Sequence, residues 1–410
     1  MPSIVRYGAD ASVHLELSDG VVLAECGTPP LVPLDDPAAA VARALAEPLD
    51  YPPLAQSTTP GDRVVLALEP GLPQAGEITA TVVRSLVDGG VDPDGVVVLR
   101  TRADVEAGWG DPRRWLADEF NERITFITHD PTARNEMAFL ASTEAGEPSL
   151  LNRAITDADL VLPIGCFHDP TAAGYHGIHG PVFPTFSDRR TLERFRSPAS
   201  LDVQGPHKQK LLQEVDHVGW LLGVSFTIQV VPGPGGSLLH VLAGEAGSVR
   251  RRARELYEAA WRCSVPRRAS LVVAAIEGSS TQQTWANLGR ALDAANSLAE
   301  DGGAVAVCCD LTAKPGAAMQ RLVGARSREA ALKKIRKERP EDALPAAQLA
   351  RTLDRVRVYL LSRLDSALVE DLDVVPIGGP DELIRLARQH QTCILLSNAP
   401  YAVVGLEENA

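Results

Sequence analysis

The spacing of apolar positions changes repeatedly along the chain, and each change marks an element. Short runs at Ile4–Tyr7, Val13–Leu17 and Val21–Ala24 have the length and content of strands, and Pro37–Ala46 reads as a helix. Arg63–Leu68 is then apolar almost throughout. In Glu77–Val87, residues Ile78, Val82, Val83, Leu86 and Val87 fall on one helical face, Gly89-Gly90 stops that helix, and Val96–Leu99 resumes as a strand. A strand with no polar alternation is buried on both faces, so this βαβ unit predicts a parallel sheet. Further strands are expected at Ile124–Ile127, Leu160–Ile164, Val224–Val231 and Leu238–Leu242, with helices at His207–Leu222 and Ser248–Arg262.

The rhythm repeats after a break. Strand Leu271–Ile276, helix Gln282–Ala299 and strand Ala304–Cys309 are followed by strand Val356–Leu361, helix Pro380–His390 and strand Cys393–Ser397. Cys263–Ala269, with Pro266 and two arginines, is the expected crossing point. The fold class is therefore α/β, with two domains over residues 1–265 and 266–410. Each is expected to hold a mainly parallel sheet flanked by helices, with a cleft between them.

Composition narrows what such a cleft serves. The formal charge of −13 argues against binding nucleic acid, and the first of only six lysines is Lys208. No apolar run approaches a membrane span and Met1–Tyr7 has no signal pattern, so the cytoplasm is the expected location and no membrane partner is expected. Cys26, Cys166, Cys263, Cys308, Cys309 and Cys393 contain no Cys-x-x-Cys pair. They read as small buried hydrophobes in a reducing compartment rather than as disulfides or zinc ligands. A small-molecule anion is the expected partner; the sequence leaves the oligomeric state open.

Ligands of parallel sheets collect at the carboxyl ends of strands. After Leu160–Ile164 comes a loop from Gly165 to Gly180 that holds His168, His176 and His179, three of the nine histidines. Imidazoles suit acid–base work and metal ligation, and the His176-x-x-His179 spacing would take a divalent metal if both rings converge. The same residues also suit an exposed loop with glycine hinges. Glu69, after the first parallel strand, is the one ionisable group of its loop, and a solvated side chain is its ordinary fate. Glu277–Thr281 precedes a helix carrying Asn287 and Arg290, whose three-residue spacing puts both on one face, able to hold a carboxylate or phosphate. The chain has no Walker loop, G-x-G-x-x-G, G-x-S-x-G or H-E-x-x-H.

Several strings resemble the lactate racemase family: Ala44–Leu49, Asn152–Ile155 with Ala158–Gly165, Ala173-Gly174-Tyr175, and Val241–Glu245. The resemblance runs over nearly the whole chain. It implies a two-domain isomerase that inverts a 2-hydroxy acid by hydride transfer through a nickel-pincer nucleotide, with two histidines exchanging the hydroxyl proton. Tyr175, Glu69, Asn287 and Arg290 are the candidate substrate-binding residues, the Asn287 and Arg290 pair standing where the family has a glutamine and a lysine three apart on a helix. The departures are specific. The lysine that holds the family's cofactor aligns with Gly180, and its nickel-binding histidine aligns near Arg196. The Asp-x-x-Thr-Arg loop becomes Glu69-Pro70-Gly71-Leu72, the Gly-x-His-Arg loop becomes Arg100–Ala103, and His168 lies two residues out of register with a family histidine. The expectation is a divergent racemase- or epimerase-like isomerase acting on or binding a small carboxylate, without the covalent nucleotide. His168, His176 and His179 are its candidate catalytic residues. The alternative is a noncatalytic protein that binds or senses a small anion.

Overall fold

The computed structural model describes residues 3–18, 20–143, 146–202 and 205–407. The chain opens with strands β1 (Ser3–Tyr7), β2 (Ala11–Leu15) and β3 (Val22–Cys26), then helix α1 (Pro37–Ala46). Strand β4 (Val64–Leu68), helix α2 (Ala75–Asp88) and strands β5 (Val96–Thr101) and β6 (Thr125–His129) follow. An antiparallel hairpin of β7 (Met137–Ser142) and β8 (Pro148–Asn152), absent from the sequence reading, precedes β9 (Leu160–Cys166). Helix α3 (Pro206–Leu221), strands β10 (Phe226–Pro232) and β11 (Leu238–Glu245) and helix α4 (Ala246–Trp261) complete this half.

Its six-stranded sheet runs β11-β10-β9-β4-β5-β6, parallel except for the antiparallel edge strand β11. Every residue of β4 is buried, as its unbroken Val-Val-Leu-Ala-Leu pattern requires. Each such valine or leucine contributes about 1.5–3 kcal/mol relative to exposure. The chain leaves β4 toward β5 on one side and later enters β9 on the other. The carboxyl ends of β4 and β9 therefore flank the topological switch point, where such sheets leave a crevice.

The second half contains β12 (Arg262–Val265), β13 (Ala269–Ala275), helix α5 (Trp285–Leu298), β14 (Ala299–Cys308), helix α6 (Ala343–Leu353), β15 (Arg357–Leu361), β16 (Val375–Pro376), β17 (Cys393–Leu396) and β18 (Val403–Leu406). Its sheet runs β16-β15-β14-β13-β17-β3, with every pairing parallel. The first strands thus serve the second sheet. Strand β3 covers the edge of β17, and Val5, Tyr7, Val13 and Leu15 pack with Leu271, Val273 and Ala275. Chain order alone groups these residues with the first half, which they precede. Burying one side of the second sheet is what draws them across.

One expectation is corrected outright. Cys26 and Cys263 form a disulfide with Cα atoms 5.8 Å apart, whereas the sequence reading kept all six cysteines reduced. The 237-residue separation hid a proximity that exists only because β3 joins the second sheet beside β12. Cys166, Cys308, Cys309 and Cys393 are free and buried, as expected of small hydrophobes. Among the described residues no helix is long and apolar enough to cross a membrane.

Helix α5 also begins later than the Gln282–Ala299 span expected from the sequence. The Gln283 amide donates to the carbonyls of Ile276 and Gly278 at 3.2 and 2.9 Å, which holds the preceding residues in turns. Thr284 becomes the N-cap and accepts from the Asn287 N–H at 3.1 Å. Asn287 therefore lies in the first turn and Arg290 one turn further on.

Candidate functional site between the two halves

A cleft of about 420 Å³ lies over the carboxyl ends of β4, β5 and β9, with α5 and α6 forming its opposite wall. Glu69 follows β4 directly, and its own N–H extends the ladder by donating to the Ile164 carbonyl at 2.9 Å. Its Oε2 accepts from the Cys166 N–H at 2.5 Å. The loop is fastened sideways by Asp104, which accepts from the Gly71 N–H at 3.1 Å and from the Thr101 hydroxyl at 2.8 Å. Burial pushes the Glu69 carboxyl up to about 7, against the opposing pull of the Cys166 hydrogen bond and the Arg290 charge. The half-buried Glu69 thus sits between its two protonation states near neutrality and is not a solvated surface carboxylate.

The histidine loop is also far from exposed. Phe167, Tyr175 and Ile178 anchor it in an apolar cluster with Tyr257 and Trp261, and His168 and His179 are buried with them. His168 lines the cleft and stacks on Tyr401 with ring centroids 5.8 Å apart. Burial, reinforced by the Arg290 charge, holds its imidazole neutral, well below the usual range. His176 also lines the cleft, and burial with the charges of Lys208, Arg290 and Arg196 lowers it to about 3. The Nδ1 atoms of both rings are buried without a hydrogen-bond partner.

His179 and Tyr175 turn the other way. The His179 ring lies against Gly219 of α3, where a Cβ would come within 2.6 Å of it, and burial lowers it to about 4. The Tyr175 ring packs against Phe167 and His168 in the core, and only its backbone neighbours Gly174 and His176 reach the cleft. The three candidate catalytic histidines are therefore split, two in the cleft and one behind it. Among the described residues no group of three or more His, Cys, Asp or Glu side chains is placed to hold a metal ion.

From the opposite wall Arg290 reaches across to the loop. Its Nε donates to the Ala173 carbonyl at 3.1 Å and one terminal nitrogen donates to the Asn287 Oδ1 at 3.4 Å. The other terminal nitrogen has no hydrogen bond or ion pair among the described residues. Asn287 is buried, and its Nδ2 donates to Gln282 at 2.9 Å. It orients Arg290 more than it faces a ligand.

Four residues of the site escaped the sequence reading. Gln282 and Tyr401 line the cleft and hydrogen-bond each other at 2.7 Å. Tyr401 lies just beyond β17, and the rule that singled out Glu69 and His168 would have found it. Gln348 of α6 lines the same wall, and its Nε2 is buried without a partner. Lys208 is 1% exposed and donates to the Tyr175 carbonyl at 2.9 Å from the first turn of α3. No pattern in the sequence marks it as buried.

Fold and site together define a two-lobed α/β protein with a cleft between its lobes that Glu69, His168 and Arg290 line. Residues 7–199 match the model of the lactate racemase N-terminal domain. In overall structure the chain is similar to the lactate racemase apoprotein from Thermoanaerobacterium thermosaccharolyticum, at a TM-score of 0.77 and 15% identity over 99% of this chain and 100% of that one. It is also similar to a structural-genomics protein from Thermotoga maritima, at a TM-score of 0.66 and 12% identity over 92% and 100% of the two chains. No curated protein matches the sequence.

The cofactor implied by the family resemblance does not fit the residues present. Position 180 is glycine, and a Cβ there would lie 2.9 Å from the Gly177 carbonyl oxygen, so the backbone itself resists a side chain at the aligned lysine position. Lys208 is the first lysine of the chain, and its ammonium is turned to the Tyr175 carbonyl.

Proposed function

We propose that the chain binds a small carboxylate, with 2-hydroxy acids as the leading class, and acts on it as a divergent racemase- or epimerase-like isomerase. The observation that carries this reading is the pairing of two groups across the cleft. Arg290 presents an unpaired terminal guanidinium nitrogen from the second half, and Glu69 presents a carboxyl with a value of about 7 from the first. A substrate carboxylate on Arg290 gains charge-assisted hydrogen bonds. In the isomerase reading the ionised Glu69 takes the proton from the adjacent hydroxyl-bearing carbon, a task suited to a group poised near neutral pH; inversion is completed when a proton is returned to that carbon from the opposite face and Glu69 releases its own to solvent. His168, kept neutral by burial, offers Nδ1 as a further hydrogen-bonding site. No step runs through a pincer nucleotide.

A noncatalytic anion-binding role is the second reading, favoured by the glycine at position 180. One experiment separates the two. Each enantiomer of lactate, glycerate and malate is screened for stabilisation in thermal unfolding, and the acids that stabilise are incubated with the protein and followed by chiral chromatography. The isomerase reading expects stabilisation and appearance of the opposite enantiomer. Stabilisation with the enantiomer unchanged establishes the binding role, and no stabilisation by any acid refutes both.

A further inference from the structure

The cleft, at about 420 Å³, falls in the range that accommodates drug-sized ligands, well beyond what a three-carbon acid fills. Its Glu69 end and its Arg290 wall account for a carboxylate and a hydroxyl. The remaining end is lined by His176, Thr185 and Arg196.

Lys208 lies directly behind this end. Its ammonium is 2.9 Å from the carbonyl of Tyr175, the residue before His176, and it makes no ion pair among the described residues. A buried ammonium without a counter-ion is costly, and a low-dielectric wall directs its field into the adjoining cavity. Arg196 donates to Glu341 at 3.2 Å, and Glu341 is a carboxylate of the same rim. That pair is held weakly, since the glutamate is 79% exposed. His176 adds an Nδ1 that is buried and unpartnered. The charges of Lys208, Arg290 and Arg196 all act on this ring.

We propose that the ligand carries a second anionic group, a phosphate or a second carboxylate, held at the His176 end by Arg196 with the charge of Lys208 behind it. The substrate class is then a 2-hydroxy acid with an anionic group at its far end. The inference rests on the carboxylate-binding reading of the cleft and adds the second anion to it.

Calorimetric titration of two matched pairs tests it: glycerate against its terminal phosphate monoester, and lactate against malate. The wild type is expected to bind at least one dianionic member about tenfold more tightly than its monoanionic partner, the scale of one charge-assisted contact. The phosphate and dicarboxylate arms show which anion is taken. Arg196→Gln, a change on the cleft rim, is expected to erase the preference while leaving the monoanion affinity unchanged. Lys208→Met should do the same, and Arg196→Gln decides the matter if the buried change unfolds the protein. Equal affinity within both pairs overturns the second-anion inference and leaves the carboxylate reading standing. So does an undiminished preference in Arg196→Gln. No binding of any of the four acids removes both.

Discussion

At position 69 a carboxyl ends a strand made otherwise of valine, leucine and alanine, and that neighbourhood decides its chemistry. Its value of about 7 against an ordinary 4.5 means the folded state holds a proton that the unfolded chain releases between those values. Stability from this group is fully present below pH 4.5 and is lost as pH rises through about 7. Glu69→Gln retains the oxygen that accepts from Cys166 and removes the ionisation. It should therefore stabilise the protein by about 1–2 kcal/mol above neutrality, allowing for partial exposure, and leave it nearly unchanged below pH 4.5. Denaturant unfolding of both proteins across that range checks the sign. The histidine loop makes the complementary point. Its glycines and histidines suggested exposure, while the informative residues were Phe167, Tyr175 and Ile178, whose burial pulls His168 and His179 inward.

Among the elements, those with an unbroken or helical apolar period were legible, as β4, α2 and β9 illustrate, because burial on one or both faces leaves its mark on every residue. Partners were not legible. Nothing local in Val22–Cys26 says that it lies beside Cys393–Leu396, since parallel pairing carries no turn to fix the register. The same gap concealed the Cys26–Cys263 link. Digestion under non-reducing conditions should yield one species joining the peptides that contain Cys26 and Cys263. Cys26→Ser should lower stability by about 2–4 kcal/mol, the usual effect of losing a native crosslink. Free thiols at both positions would show that the expectation of reduced cysteines was right. The start of α5 was misplaced for a different reason. Gln282 and Gln283 are residue types that helices accept readily, and the turn that keeps them out of α5 is held by the side chain of Gln283, which no periodicity reports.

At the scale of the molecule, the cleft arises because two sheets present their carboxyl-end loops to each other. Glu69 and His168 come from the switch point of the first sheet, and Arg290 comes from the helix that follows β13 of the second. The sequence supplied these residues singly; their juxtaposition follows from the packing of the halves, which the Arg290 bond to Ala173 spans. The residues kept out of sight, Lys208 and Gln348, are those whose role is defined by what packs onto them. The central claim is that Arg290 anchors a carboxylate in this cleft, and calorimetric titration of wild type and Arg290→Ala with the hydroxy acid that most stabilises the wild type tests it most directly. The variant is expected to lose about 1.5–3 kcal/mol of binding free energy, roughly ten- to a hundredfold in affinity, while its fold is retained. Equal affinity in the two proteins would contradict the account, because the acid would then be held without the group on which the cleft is built.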